Sequence, residues 1–100
     1  QVFQRLCELL FESAPATLQG IERALAAGDL AAVAAAAHSL KSASSNLGGR
    51  RLAAQLDRCE SLAREGAGIA AVRSAAAALP QAYAAFTSAL NEMTTRKTGS

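Results

Sequence analysis

Apolar residues recur every three or four positions over most of the chain, which is the spacing that places them on one face of an α-helix. The first such series runs from Phe3 to Leu25 and continues through Pro15. A proline inside a helix removes one backbone hydrogen bond and crowds the preceding turn, so we expect one long helix kinked near Pro15. Gly28 should end this helix in a left-handed conformation, and Asp29 should cap the start of the next one.

Three further amphipathic series follow, over residues 30–46, 52–62 and 69–93. The last of them passes through Pro80, so we expect a second long helix, kinked near that proline. A break into two separate helices at Pro15 or at Pro80 is the alternative. Four amphipathic helices with short connections predict an all-α fold, an antiparallel up-down four-helix bundle formed by residues 1–95. Residues 96–100 show no apolar periodicity and should form a frayed tail.

The composition agrees with a single helical domain. A chain of 100 residues holds one core, and about a quarter of its residues are alanine, with only 2 prolines and 4% aromatic residues. Cys7 and Cys59 lie far apart in apolar helical series and lack the spacing of metal ligands. We therefore expect them to be small buried side chains of a protein in a reducing compartment.

Charge and hydropathy argue against two classes of partner, although a steeply salt-dependent affinity for DNA would revive the first of them, nucleic acid. The net charge is only +2 and the basic residues are scattered, which disfavours nucleic-acid binding. No apolar run approaches the roughly 18 residues that a membrane span needs, and the beginning of the chain carries charges where a signal peptide is apolar. We expect no nucleic-acid partner and no direct membrane contact.

The one histidine of the chain, His38, lies in the second helical series. At about 100° per residue it points away from the side of Leu40, and so away from the predicted core. Lys41, Ser42 and Ser45 fall beside it on the same face. The small residues should leave the imidazole uncovered, so that another protein can approach it closely.

The residues around His38 favour one kind of chemistry over two others. A metal site is disfavoured because the chain has no second histidine and no carboxylate three or four residues away on that face. A serine hydrolase is disfavoured because no acid in the same helix orients the ring and a convex helix face offers no pocket. A neutral imidazole nitrogen can accept a phosphoryl group, and Lys41 would then offset the added negative charge.

The segment "AHSLKSASSNLGGRRLAAQLDRCESLAREG", residues 37–66, resembles the histidine-containing phosphotransfer (HPt) domains of two-component phosphorelays. It reads as A-H-x-L-K-x-x-S/A-x-x-x-G followed by a leucine-rich helix that ends in a glutamate. The preceding residues 10–38, with "AGD" ahead of the histidine helix, resemble the lead-in of the same family. The spacing from His38 to Lys41 to Gly48 is the most specific part.

The resemblance implies roles for three residues. His38 matches the phosphoacceptor histidine, and Lys41 matches the lysine that steadies the phosphoryl group. Glu60 falls at the place of a polar residue that accepts the ring N–H and orients the other nitrogen outward. An ordinary solvated glutamate is the alternative interpretation of Glu60.

The resemblance also implies a partner-binding surface. Its small residues match Ser42, Ser45, Gly48 and Gly49, although the position of Ser42 is frequently glycine in the family. The basic pair that follows, Arg50 and Arg51, is either a contact for an acidic partner surface or a pair of solvated charges.

The function implied is that of a phosphocarrier between receiver domains. His38 would attack the aspartyl phosphate of one receiver in line and pass the phosphoryl group to the aspartate of another. Mg²⁺ would be held by the receiver, so the domain itself would need no cofactor, metal or ATP site and would be no enzyme alone. We expect a cytoplasmic monomer that is the C-terminal module of a hybrid sensor histidine kinase, and a parent chain of this kind can be anchored in the inner membrane. A free-standing protein is the alternative.

Two alternatives remain open at this point. One is a structural or docking bundle with a histidine that is never phosphorylated. The other is the dimerisation helix pair of a sensor kinase, in which an acid normally follows the histidine directly, whereas Ser39 follows His38 here.

Overall fold

The computed structural model describes residues 2–99, with the side chains of Val2 and of residues 4–93. This part of the chain forms five α-helices and no strand. They are α1 (Val2–Ala27), α2 (Leu30–Asn46), α3 (Arg50–Arg64), α4 (Ile69–Ala76) and α5 (Leu79–Gly99). The all-α class predicted from the apolar periodicity is therefore confirmed.

The helices close into a ring of contacts around one core. α2 packs against α1 and, most extensively, against α3, while α4 and α5 both contact α3 and α1. α4 and α5 together therefore take the place of the fourth helix of the bundle. The connections are two to four residues long, as antiparallel neighbours require, and the up-down direction of the helices stays a prediction.

The two prolines act differently. Pro15 lies inside α1, which continues on both sides of it, and the kink expected there stays a prediction. The single kinked helix expected through Pro80 is wrong, because α4 ends at Ala76 and α5 begins at Leu79. Proline has no N–H to give to the carbonyl of Ala76, whereas in the first turn of a helix that N–H is not needed.

The turn between α1 and α2 confirms two expectations about its residues. Gly28 has a φ of 73°, and its N–H donates to the carbonyl of Leu25 at 3.1 Å. The N–H of Asp29 donates to the carbonyl of Ala24 at 2.8 Å, which completes a Schellman motif. Asp29 then caps α2, since its carboxylate accepts from the N–H of Ala32 at 3.1 Å.

The last helix extends further than the apolar pattern does. A frayed tail was expected over residues 96–100, but α5 continues to Gly99, and Ser100 lies outside the described residues. Whether the bundle ends at residue 95 stays a prediction. Among the described helices, none combines the length and the apolarity needed to cross a bilayer.

Most of the predicted apolar positions lie in one buried cluster. Its largest fully buried side chains come from α1, α2, α3, α4 and α5 and include Ile21, Val33, Leu52, Leu56, Val72, Leu79 and Leu90. Leu6 and Met93 were expected on the core side, but they are 40% and 55% exposed. Leu6 lies near the start of α1, and Met93 lies in the last third of α5. The side chain of Phe3 lies outside the described residues.

The two cysteines are buried and unpaired, as their apolar surroundings predict. Cys7 is 3% exposed and Cys59 is fully buried. Burial raises the pKa of both thiols, because an apolar environment disfavours the thiolate. Both side chains therefore behave as small apolar parts of the core.

Gly49, in the turn between α2 and α3, lies against the ring of Phe86 on α5. A Cβ atom built at this position would lie 2.8 Å from Cζ of Phe86, which is too close for a carbon contact. Gly49→Ala should therefore lower the free energy of unfolding by about 1–3 kcal/mol through overpacking, as measured by urea unfolding followed by circular dichroism.

A matched control is Gly20→Ala in the middle of α1, where an added Cβ meets nothing within 4 Å. That change should raise the free energy of unfolding by about 0.5–1 kcal/mol, because glycine loses more backbone freedom than alanine when a helix forms. A Gly49→Ala protein as stable as the wild type would contradict the packing described for Phe86.

Candidate functional site

His38 lies on the outer face of α2 with 58% of its side chain exposed. Its Nδ1 lies 3.1 Å from Oε2 and 3.3 Å from Oε1 of Glu60 on α3. A carboxylate only accepts hydrogen bonds, so the proton of the neutral ring belongs on Nδ1, which donates to Glu60. The lone pair of the ring then belongs to Nε2, as it does in metal-bound histidines oriented by a carboxylate.

Glu60 is the most enclosed charged side chain of the site, with 8% of the residue exposed. Leu56, Cys59 and Ala63 of the same helix face the core. Glu60 follows Cys59 and so lies at the edge of that apolar face, where α3 meets α2. The helix contact therefore brings a carboxylate from α3 to an imidazole on α2.

Two cations and the imidazole bind the carboxylate of Glu60. Lys41 donates to Oε1 at 2.8 Å, Arg64 donates to Oε2 at 2.9 Å through Nε, and His38 is the third partner. The bond from Lys41 is the main cause that lowers the pKa of Glu60 from 4.5 to about 2. The bonds from Arg64 and His38 lower this pKa further, while burial opposes them. Glu60 is therefore an anion at every physiological pH.

Lys41 turns its ammonium toward α3. Besides the bond to Glu60, Nζ donates to Oδ1 of Asp57 at 3.0 Å. These two bonds, with Glu60 the larger contributor, raise the pKa of Lys41 above its usual value of 10.5. The cation expected beside His38 is thus present one turn along α2, and two carboxylates of the neighbouring helix hold it.

Small side chains surround the imidazole on α2. Ser42 and Ser45, both predicted from the sequence, are exposed one and two turns after His38. Ala31 and Ala35 are exposed on the same face before it, so the row continues in both directions. No side chain in this row except the imidazole is longer than serine.

The two glycines after α2 have different environments. Gly48 is exposed and has a φ of 84°, and its N–H donates to the carbonyl of Ser45, so it ends the helix. Gly49 was predicted to line the partner surface, but it is buried against the ring of Phe86. Its small size serves the contact between the α2–α3 turn and α5, and this part of the prediction is wrong.

The two arginines that follow, Arg50 and Arg51, also have different surroundings. Arg50 is exposed as the first residue of α3. Arg51 is exposed as well, but it lines a groove between α3 and α5 with Gln55 and Ala82. The described lining of this groove contains no residue of α2, so Arg51 lies on a different side of α3 from Glu60. A partner contact by either arginine stays a prediction.

Two members of the charge cluster were missed from the sequence, namely Asp57 and Arg64. Both lie on the same face of α3 as Glu60, three residues before it and four residues after it. That spacing was a readable signal once Glu60 had been chosen. Their convergence on Lys41 and Glu60 depends on how α2 packs against α3.

The family model of the Hpt domain matches residues 5–93. The match covers most of the chain, which belongs to the Hpt domain family, as the resemblance in residues 37–66 indicated. Hpt domains take part in histidine phosphotransfer in two-component signalling, where they interact with receiver domains. They are phosphocarriers and not kinases. No curated protein and no solved structure matches the chain significantly.

The low pKa of Glu60 predicts how the stability of the folded domain changes at acid pH. Because the pKa is lowered on folding, the stability contributed by ionised Glu60 is fully present above about pH 4.5 and is lost as the pH falls toward 2. Glu60→Gln should therefore be less stable than the wild type near pH 7, and the difference should shrink between pH 4.5 and pH 2. Urea unfolding at several pH values in this range measures the free energy of unfolding of both proteins.

Glu65→Gln is the matched control, since Glu65 is exposed at the end of α3 and forms no ion pair within the described residues. It should unfold like the wild type at each pH. A stability difference for Glu60→Gln that stays constant from pH 7 to pH 2 would contradict the ion cluster.

Proposed function

We propose that the domain is a phosphocarrier in which Nε2 of His38 accepts the phosphoryl group from the aspartyl phosphate of a receiver domain and passes it to the aspartate of another. The observation that carries the proposal is the hydrogen bond from Nδ1 to the buried, ionised Glu60 beside an otherwise exposed ring. It directs the lone pair of a neutral imidazole toward solvent, where a partner can reach it.

The transfer needs no proton to leave His38. The lone pair of Nε2 forms the bond to phosphorus while the bond from phosphorus to the aspartyl oxygen breaks, and its electron pair stays on the receiver's carboxylate. The ring keeps its Nδ1 proton and becomes cationic. Glu60 is already an anion 3.1 Å away and stabilises that charge without any rearrangement.

The reverse transfer follows the same path. A receiver carboxylate attacks phosphorus, the Nε2–P bond breaks, and the ring returns to its neutral form. Mg²⁺ belongs to the receiver in this proposal, so the domain contributes a positioned nitrogen and a nearby cation, Lys41.

The row of small residues on α2 supports a protein as the phosphoryl donor. Ala31, Ala35, Ser42 and Ser45 are exposed on the same helix face as His38 and are too short to keep a partner's backbone away from it. The same row leaves the ring on a convex helix surface, and the grooves between α3 and α5 and between α1 and α5 do not include His38.

We further propose that the domain acts as a cytoplasmic monomer and as a module of a hybrid sensor histidine kinase. Its buried apolar residues form one cluster within a single chain, and its two cysteines are unpaired. Domains of this family commonly end such kinases.

His38→Gln should abolish the uptake of phosphate from a phosphorylated receiver domain, because the glutamine amide has no nucleophilic nitrogen. Transfer of ³²P to the domain measures uptake, and the far-ultraviolet circular dichroism spectrum should keep its helical shape. Transfer that persists in this variant would refute the assignment of His38. A receiver that binds the wild-type domain without transfer would instead favour a docking bundle.

Ser42→Tyr tests whether the row on α2 is the docking surface. The bulky ring should slow transfer from a phosphorylated receiver at least tenfold, because it holds the receiver away from His38. Phosphorylation of His38 by the small donor phosphoramidate, followed by ³¹P NMR, should be within about twofold of the wild type.

Ser88→Tyr is the matched control, since Ser88 is an exposed serine on α5. Its transfer rate should equal that of the wild type. If Ser42→Tyr accepts phosphate from the receiver at the wild-type rate, the receiver does not dock over this part of α2.

A further inference from the structure

The ammonium of Lys41 is shared between two carboxylates that differ in how firmly they are held. Nζ lies 2.8 Å from Oε1 of Glu60 and 3.0 Å from Oδ1 of Asp57. The side chain of Glu60 is 10% exposed, whereas that of Asp57 is 60% exposed. Lys41 itself is 25% exposed. One of its two partners is therefore enclosed, and the other is open to water.

The two carboxylates also differ in the number of other groups that bind them. Glu60 is also bound by Arg64 and His38. Within the described residues, the ion pair with Lys41 is the only one that Asp57 makes. Glu60 is consequently fixed in the cluster, while the pair between Lys41 and Asp57 can open at little cost, as exposed ion pairs do.

Lys41 follows His38 by three residues on α2, so the two side chains are neighbours on the helix surface. A phosphoryl group on Nε2 of His38 adds nearly two negative charges on this surface. It becomes an alternative partner for the ammonium, and it can replace Asp57 while the bond from Lys41 to Glu60 remains.

We propose that Asp57 is a positioning residue that competes with the phosphoryl group on His38 for the ammonium of Lys41, and so lowers the equilibrium level of phosphorylated His38. The proposal rests on the proposed phosphocarrier function. It adds a residue on α3 that sets how the phosphoryl group is divided between the domain and its receiver.

The ion pair between Lys41 and Asp57 and the phosphorylation of His38 are energetically linked. The pair between Lys41 and Asp57 stabilises the unphosphorylated domain, and it is lost when Lys41 moves to the phosphoryl group. Removing the charge of Asp57 removes this stabilisation from one side of the equilibrium only. Since exposed ion pairs are weak, the expected change is about two- to fivefold in the equilibrium constant.

The first experiment compares Asp57→Asn with the wild type. A phosphorylated receiver is mixed with each domain, and the ratio of phospho-His38 to phospho-receiver is measured at equilibrium by acid- and alkali-stability of the ³²P label. The ratio should rise about two- to fivefold in Asp57→Asn. Glu65→Gln removes a charge from the residue directly after the same helix without touching Lys41, and it should leave the ratio unchanged.

A double-mutant cycle separates the proposed route from direct repulsion between Asp57 and the phosphoryl group. In a Lys41→Ala background, Asp57→Asn should change the ratio less than about 1.5-fold, because the ammonium for which the two anions compete is gone. If the full effect of Asp57→Asn persists without Lys41, Asp57 acts directly and the proposal is overturned.

A spectroscopic measurement reports on the contact itself. NMR titration of the Lys41 ammonium in the unphosphorylated domain should show a lower pKa in Asp57→Asn than in the wild type, since Asp57 raises that pKa. Glu65→Gln should leave the titration unchanged. A Lys41 pKa that is the same in Asp57→Asn and the wild type would show that the pair does not form and would overturn the proposal.

The outcomes distinguish this inference from the proposed function. If neither a phosphorylated receiver nor phosphoramidate labels His38 in the wild-type domain, the phosphocarrier function fails and the role of Asp57 fails with it. If the wild type is labelled but Asp57→Asn shows the wild-type ratio, only the role of Asp57 fails.

Discussion

The carboxylate of Glu60 joins the two helices that carry the site. A buried anion without partners would be costly, since it has lost most of its hydration. Here Lys41, Arg64 and His38 bind it from two helices, and these bonds hold its pKa at about 2. Because the carboxylate stays ionised, it can only accept hydrogen bonds, and this restriction decides which nitrogen of His38 carries the proton. The positions of Lys41 and Arg64 and the tautomer of His38 are all tied to this one carboxylate.

Small side chains serve two separate purposes in this chain. On the outer face of α2, exposed alanines and serines lie before and after His38, and in the proposed function they leave room for a partner. At the turn after α2, Gly49 instead lets the ring of Phe86 pack against the backbone. Composition does not separate these two uses, because both involve residues with little or no side chain. Burial separates them, and burial is a property of the folded bundle.

The division of labour within the site follows from its exposed position. A convex helix face cannot surround a substrate, and in the proposed transfer the domain would supply only three groups. They are the nitrogen of His38 as nucleophile, the anion of Glu60 beside the ring, and the cation of Lys41 one turn away. In the proposed transfer, the metal ion and the acidic pocket come from the receiver. This arrangement is consistent with Hpt domains being carriers without kinase activity.

Local sequence features determined much of the fold. The apolar spacing predicted the helices, and Gly28 and Asp29 predicted the first turn, because periodicity, left-handed glycines and N-caps act within a few residues. The sequence predicted a kink at Pro80, but the helix is interrupted before this residue. A proline disturbs a helix in both cases, so the sequence alone does not distinguish a kink from a break.

The sequence likewise predicted one part of the site, and only the tertiary structure determines the rest. That His38 points outward among small residues followed from the helical period and the position of the core face. Its contact with Glu60 was expected only from the family resemblance, and the convergence of Asp57 and Arg64 on the same cluster was not expected at all. Contacts between α2 and α3 join residues about twenty positions apart, and their geometry depends on how the two helices rotate and slide against each other. Only the packed bundle determines that geometry, and the same packing buries Gly49.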